Sequence, residues 1–238
     1  MERLDKIIAS QGQYSRSEVK KLVKQGRISV NDVTVKSSDV KIDPQSDSVK
    51  IDGKRLEYKK YIYIMLNKPK GVISATDDKT QTTVIDLVPK QMKRDGLFPA
   101  GRLDGDTTGF VLITDDGDFA HRILSPKNHI MKTYHATLQR EITPEDIDAF
   151  KKGVTLGDGT VCLEGEVFSI SAQGVPMAQV KICEGKYHQV KRMFAALGNK
   201  VIELRRVKMG GLSLDESLLE GECREITPEE LELIVEGE

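Results

Sequence analysis

The stretch AGRLDGDTTGFVLITDDGD, residues 100–118, places Arg102 and Asp104 in a loop with Gly101, Gly105 and Gly109, then runs directly into an apolar tetrad. Phe110, Val111, Leu112 and Ile113 are bounded by turn residues, which predicts a short strand buried on both faces. Residues 101–109 then form a loop delivered by the core, where glycines let backbone approach a ligand while the strand fixes the side chains. Asp104 is the candidate reactive residue. Three other readings compete for it. An Asp in a Gly-rich loop can bond its own backbone as a turn former. Asp104, Asp106, Thr108, Gly109 and Asp115 also fall on positions one, three, five, six and twelve of an EF-hand-like calcium loop, although an apolar strand follows where a helix is needed. Asp104 and Asp106 could instead be paired glycosidase carboxylates, but two acids so close in one loop do not fix a gap for a sugar.

GRLDGDTTG resembles the Gly-Arg-Leu-Asp signature of the RsuA and RluA group of pseudouridine synthases. SPKNHIMKTY at 125–134 and EGKYHQVKRMFAALGN at 184–199 extend the resemblance in the family's order over nearly the whole chain, and they are most similar to its RsuA branch. The resemblance implies that Asp104 is catalytic. It also implies isomerisation of one uridine, of the uridine-516 type, in small-subunit (16S) ribosomal RNA or an assembly intermediate of it. A related synthase acting on large-subunit (23S) RNA is a neighbouring reading.

Composition sets the outer bounds. The 238 residues, 38% hydrophobic and 31% charged, describe an ordinary globular protein long enough for one or two domains. No apolar run approaches the roughly 20 residues of a membrane span, and MERLDKIIASQG lacks a signal peptide's features, so the expectation is a cytoplasmic protein with no membrane contact. Cys162, Cys183 and Cys223 are widely spaced and form no Cys-x-x-Cys pair, which predicts reduced thiols without a zinc site. No metal, cofactor or partner subunit is expected. The net charge of −1 hides a division: residues 1–60 hold 14 Lys and Arg against 9 Asp and Glu, net +5, and the remainder 22 against 28, net −6. A basic module joined to an acidic body suits a nucleic-acid grip attached to an enzyme.

In that module Leu4, Ile7 and Ile8 give one helical face, and Val19, Leu22 and Val23 repeat the spacing on a second helix. Ser15 and Glu18 predict a capping box at its start, and Gly26 its end. Lys20, Lys24 and Arg27 recur away from the apolar face as a stripe for phosphate contacts. ISVNDVTV at 28–35 predicts a hairpin turning at Asn31 and Asp32. The layout is similar to the small RNA-binding domain named after ribosomal protein S-four. RLEYKKY at 55–61 is polar, which places the boundary there: a binding domain over 1–60 and a catalytic domain over 61–238.

The body opens with YIYIMLNKPKGVIS at 61–74, a strand ending in a turn whose Lys68 and Lys70 are either RNA contacts or turn solubilisers. A helix near Phe119 to Leu124 stops before Pro126, and His121, Arg122, Lys127, His129 and Lys132 suggest a basic rim. Tyr134 lies in a strand with Lys132 and Ala136 on its face; the family has an active-site Tyr here, and an aromatic face is what a flipped base needs. TPED at 143–146 and TPEE at 227–230 each start a helix, with Thr as cap and Pro at the first position. With the strands of VFSISAQ, MAQVKICEG and VIELRRVKMGG, these predict an α+β fold: a small α/β RNA-binding module, then a mixed, mostly antiparallel sheet flanked by helices.

In HQVKRMFAALGN, Val190, Met193, Phe194 and Leu197 form a buried helical face. At about 100° per residue Lys191 lies beside that face and Arg192 further from it, so Lys191 is the residue that reaches inward. The related family's His-Gln-Ile-Arg agrees, since its basic residue pairs with the catalytic Asp; Arg192 is the second choice. The expected constellation is Asp104, Tyr134 and Lys191, with Arg102, Arg192, Lys20, Lys24 and Arg27 as substrate contacts in a monomer. A non-catalytic RNA-binding or ribosome-assembly factor is the alternative from another class, and it would have no use for that trio.

Overall fold

The computed structural model describes residues 1–236; the last two residues of the expected 61–238 body lie outside the described residues. The chain divides into two compact units, Met1–Ile62 with Val88–Leu97, and Tyr63–Leu87 with the chain from Phe98 onward. The excursion of Val88–Leu97 into the first unit has no counterpart in the reading that placed one boundary near residue 60. Arg94 secures it, donating from Nη1 and Nη2 to the carbonyls of Lys59 and Lys60 at 3.0 and 3.1 Å.

The first unit contains β1 (Glu2–Arg3), α1 (Leu4–Ser10), α2 (Arg16–Lys24), β2 (Ile28–Val30), β3 (Val33–Thr34), β4 (Lys41–Ile42), β5 (Val49–Ile51) and β6 (Lys54–Arg55). The predicted capping box starts α2, with Ser15 and Glu18 bonding each other's backbone, and Gly26 follows its end in the left-handed region. Leu4, Ile7 and Ile8 meet Val19, Leu22 and Val23 above Ile28, Val49 and Ile51 in one core. Asn31 and Asp32 both take positive φ, 50° and 64°, as the two-residue turn between β2 and β3 requires. Arg27 departs from the expected helical stripe. It lies beyond α2 and grips Asp52 through two hydrogen bonds of 2.6 and 2.5 Å.

The second unit is built on β7 (Tyr63–Lys68), β8 (Phe98–Ala100), β9 (Thr108–Thr114), α3 (Gly117–Leu124), β10 (Lys132–Leu138), α4 (Pro144–Lys152), β11 (Glu166–Ser169), β12 (Met177–Ile182), α5 (Gln189–Ala196), β13 (Val201–Met209), β14 (Leu212–Ser213), β15 (Cys223–Glu225) and α6 (Pro228–Glu236). Nine strands form one sheet in the order β11-β12-β10-β13-β9-β7-β15, with β8 on β9 and β14 on β13. The β9–β13 pairing is parallel and the other strand pairings of the sheet are antiparallel. Phe110, Val111, Leu112 and Ile113 are all fully buried, as a central strand covered on both faces demands. Thr143 and Thr227 cap α4 and α6 as expected.

Two lysines correct the sequence reading. Lys68 is neither an RNA contact nor a turn solubiliser: it is fully buried at the end of β7. Lys132 is not on a basic rim. It shares the inner face of β10 with Tyr134 and Ala136, and its Nζ donates to the carbonyls of Cys183 and Ile123 at 2.9 and 3.3 Å. Burial pulls its pKa down to about 8, with Arg206 adding repulsion.

Candidate active site

The loop between β8 and β9 presents Asp104, and the parallel β9–β13 junction fixes where it emerges. Gly109 sits there with φ +99°, and a Cβ on it would lie 2.2 Å from the Arg206 carbonyl, so this register of β9 on β13 is open only to glycine. The segment after β7 grips the loop from below. Lys68 Nζ donates to the carbonyls of Thr107, Pro69 and Gly105 at 2.8, 3.1 and 3.4 Å, and Gly71 N donates to the Gly105 carbonyl at 2.7 Å. Ser74 Oγ donates to the Leu103 carbonyl and accepts from its N–H, both at 3.0 Å. Burial lowers the Lys68 pKa to about 8, against the opposing pull of Asp106 and Asp104.

The second half of the site comes from α5 and the turn before it. Lys191 Nζ lies 2.8 Å from Asp104 Oδ2 and 2.6 Å from Asp106 Oδ1, so one ammonium joins both carboxylates. Desolvation pulls the Lys191 pKa down, but the hydrogen bonds to Asp104 and Asp106 outweigh it and leave it above its ordinary value. The same bond to Lys191 holds Asp106 below the usual carboxylate range. His188 precedes α5 in the left-handed region, φ 47°, and its Nε2 stands 3.3 Å from Asp104 Oδ1. Tyr187 stacks on the His188 ring at 3.8 Å between centroids. Glu184, buried, braces this turn by accepting from Gln189 Nε2 at 2.6 Å and Leu163 N at 2.8 Å, and it also pairs with Lys186.

These elements enclose a cavity of about 70 Å³ in which Asp104 and Tyr134 face an apolar lining of Leu103, Ile182, Val190 and Leu204. Tyr134 is only 7% exposed and offers its ring beside the carboxylate. Arg102, exposed, stands at the rim. A carboxylate, a paired ammonium, an aromatic ring and apolar side chains can together hold a flat base against a nucleophile.

The helical-phase reading separated Lys191 from Arg192 as the side chains lie: Arg192 turns away to Asp158, 2.6 Å from its carboxylate. Lys20 and Lys24 are exposed on α2. The Asp104 side chain is about a quarter exposed (26%). Residues 108–114 of the EF-hand alignment run as β9, so the calcium-loop conformation is not formed. His188 and Lys68 escaped sequence reasoning. A lone His carries no periodic signal, while the apolar run Ile62–Leu66, two residues short of Lys68, was only a partial cue that β7 stays buried to its end.

The family described as RNA pseudouridylate synthase matches residues 62–196, and the S4 domain matches residues 2–48. The chain belongs to the RNA pseudouridylate synthase family. It is 45% identical to an uncharacterized RNA pseudouridine synthase, YtzG, of Bacillus subtilis, over 98% of each chain. It is 41% identical to the ribosomal small subunit pseudouridine synthase A of Escherichia coli, over 98% of this chain and 100% of that one. A crystal structure titled pseudouridylate synthase superposes with a TM-score of 0.66 at 40% identity, covering 99% of this chain and all of the other. Among the described residues no helix is long and apolar enough to cross a membrane.

Proposed function

We propose that this enzyme converts one uridine of small-subunit ribosomal RNA, free or in an assembly intermediate, to pseudouridine, with Asp104 as nucleophile. The observation that supports it best is a cavity lined by both Asp104 and Tyr134, with Lys191 paired to Asp104, an arrangement a docking factor has no need of. The small-subunit assignment draws on relatives of that name at about 41% identity over their full length.

The target nucleotide leaves the RNA stack, and its uracil enters the cavity against Tyr134, whose ring replaces part of the lost stacking, worth about 1–3 kcal/mol. Lys191 Nζ, 2.8 Å from Asp104 Oδ2, gives the carboxylate a counter-charge as the base displaces water from it. Asp104 attacks either the anomeric carbon or carbon six of the ring. The N-glycosidic bond breaks, the uracil turns while held, and carbon five bonds to the anomeric carbon. The proton on carbon five is lost, nitrogen one gains a proton, and the Asp104 carboxylate is restored, so no oxidant, donor or metal enters the balance. His188, whose Nε2 stands 3.3 Å from Asp104 Oδ1, is a positioning residue for that carboxylate. Residues 1–60 supply phosphate contacts through Lys20 and Lys24, and residues 61–238 the chemistry. The enzyme is read as a monomer that acts in the cytoplasm, where its ribosomal RNA substrate is made.

The test is conversion by purified protein of small-subunit RNA, large-subunit RNA and a partly assembled small-subunit particle, mapped through the alkali-resistant carbodiimide adduct of pseudouridine. One modified uridine in the small-subunit RNA or its particle is the expected result. Modification confined to large-subunit RNA would overturn the substrate assignment, and none on any of the three would favour the docking factor.

A further inference from the structure

The turn at residues 186–188, just before α5, carries two rings, and the chemistry described above uses one of them. His188 lines the catalytic cavity and stands against Asp104, while Tyr187 stacks on the His188 ring with centroids 3.8 Å apart and planes 18° from parallel. Tyr187 is 69% exposed, more than any other Phe or Tyr among the described residues, so the ring face turned away from His188 meets solvent. A single exposed ring needs no explanation by itself. This one is set apart by being held rigidly beside the catalytic cavity.

Lys186 N donates to Gln189 Oε1 at 2.8 Å and Gln189 N to the Lys186 carbonyl at 3.1 Å, which closes the turn. Arg192 reaches back from α5, its Nη1 donating to the Tyr187 carbonyl at 3.3 Å and its backbone N–H to the His188 carbonyl at 2.9 Å. These bonds hold His188 at φ 47°, a conformation that residues other than glycine keep only where their surroundings impose it. A ring fixed before its partner arrives loses little freedom on binding. The position also selects the partner. A uridine that leaves its stack for the cavity stays joined through its phosphates to a nucleotide on each side, and each of these has lost a stacking neighbour. Tyr187 stands one ring outward from a residue of the cavity lining, and an aromatic face accepts a stacked base whatever its identity.

We propose that Tyr187 is a substrate contact whose exposed ring takes the base of a nucleotide directly flanking the target uridine, so that this base, the Tyr187 ring and the His188 ring form one stack ending at Asp104. The inference rests on the reading that a uridine in RNA is the substrate, and it names the neighbour that is bound with it. Wild type, Y187A and Y187F are compared in the full chain on the RNA whose uridine is modified, and on the same RNA made abasic at the upstream or at the downstream neighbour of that uridine. KM and kcat are measured for each, and Kd in the D104N background, which separates binding from turnover. Y187A should keep the wild-type melting temperature and raise KM and Kd about fivefold or more, the lower end for one stacked base, with kcat within about twofold. Y187F, which keeps the ring, should stay within about twofold of wild type. On one of the two abasic RNAs wild type should itself lose about fivefold or more, and there Y187A should add no further loss, because the base it would stack is gone. A Y187A penalty that persists on both abasic RNAs, that is shared by Y187F, or that is absent on intact RNA would overturn the proposal. A fall in kcat with KM unchanged would also overturn it, since Tyr187 would then serve only to hold His188. So would self-association in sedimentation that Y187A abolishes, because a second copy would then cover the ring. Wild type that made no pseudouridine from any RNA would overturn the proposed function and this inference with it, whereas the outcomes above are read on active wild type and strike this inference alone.

Discussion

Lys191 holds two carboxylates with one ammonium, and this sets how much its loss should cost. Breaking a fully buried pair costs about 3–5 kcal/mol, whereas exposed pairs contribute about 0–1. Asp104 and Lys191 are each about a quarter exposed (26% and 23%), between those limits. K191M is therefore expected to lower kcat/KM by about 5- to 150-fold, a barrier rise of roughly 1–3 kcal/mol. R192M should change it less than about threefold, because Arg192 is committed to the exposed Asp158. Steady-state kinetics of both variants decide the matter: an active K191M beside a dead R192M would exchange their roles. The phase of α5 made this distinction legible in the sequence, since it depends only on 100° per residue and the buried face of Val190, Met193 and Phe194. The contribution of His188 was not legible, because it depends on a left-handed backbone at the helix start that no residue pattern announces.

At the level of elements, the loop that bears Asp104 is held at both ends by features that can be removed one at a time. G109A forces a Cβ into the Arg206 carbonyl at a positive φ, so we expect a loss of stability beyond about 3 kcal/mol in urea unfolding, among the larger single-residue effects. K68M takes the donor from three carbonyls, which should cost about 1–3 kcal/mol and reduce turnover further by loosening the loop. Lys68 also has a signature in pH. Its folded-state pKa of about 8 lies below the ordinary 10.5, so between these values the unfolded chain binds more protons than the folded one. Stability contributed by this lysine is then least below pH 8 and grows as pH rises towards 10.5. Unfolding free energies of wild type and K68M, compared from about pH 7 to about 10, should diverge as pH rises; parallel curves would contradict a Lys68 pKa lowered by burial. The strands and helices themselves were largely legible: the tetrad of 110–113, the Ser15, Thr143 and Thr227 caps and the Asn31-Asp32 turn are local signals. Lys68 and Lys132 were misread because a lysine's type argues for solvent, and only the neighbouring strands reveal carbonyls waiting for an ammonium.

At the scale of the whole molecule, the proposed function gives phosphate contacts to the first unit and chemistry to the second. The +5 charge of residues 1–60 is reduced locally where Arg27 pairs with Asp52, which leaves Lys20 and Lys24 on α2 as the exposed pair of the predicted stripe. K20Q/K24Q should lower the salt slope of RNA binding by about 1.4–1.8 with kcat unchanged, and an unaltered slope would show these lysines to be solvated surface. Full-length variants are the sounder probe, because deleting residues 1–60 would strip the partners from Val88–Leu97, which folds with that unit although it is distant in sequence. That excursion could not be read from the chain, since it depends on tertiary bonds such as those of Arg94. The central claim, that Asp104 performs the isomerisation, is tested most directly by the yield of pseudouridine from D104N and D106N on small-subunit RNA under identical conditions. D104N should keep its fold and RNA affinity and yield less than about a thousandth of the wild-type rate, a barrier rise of at least roughly 4 kcal/mol, while D106N stays far milder. Turnover by D104N above that level, or equal damage from the two changes, would contradict the account.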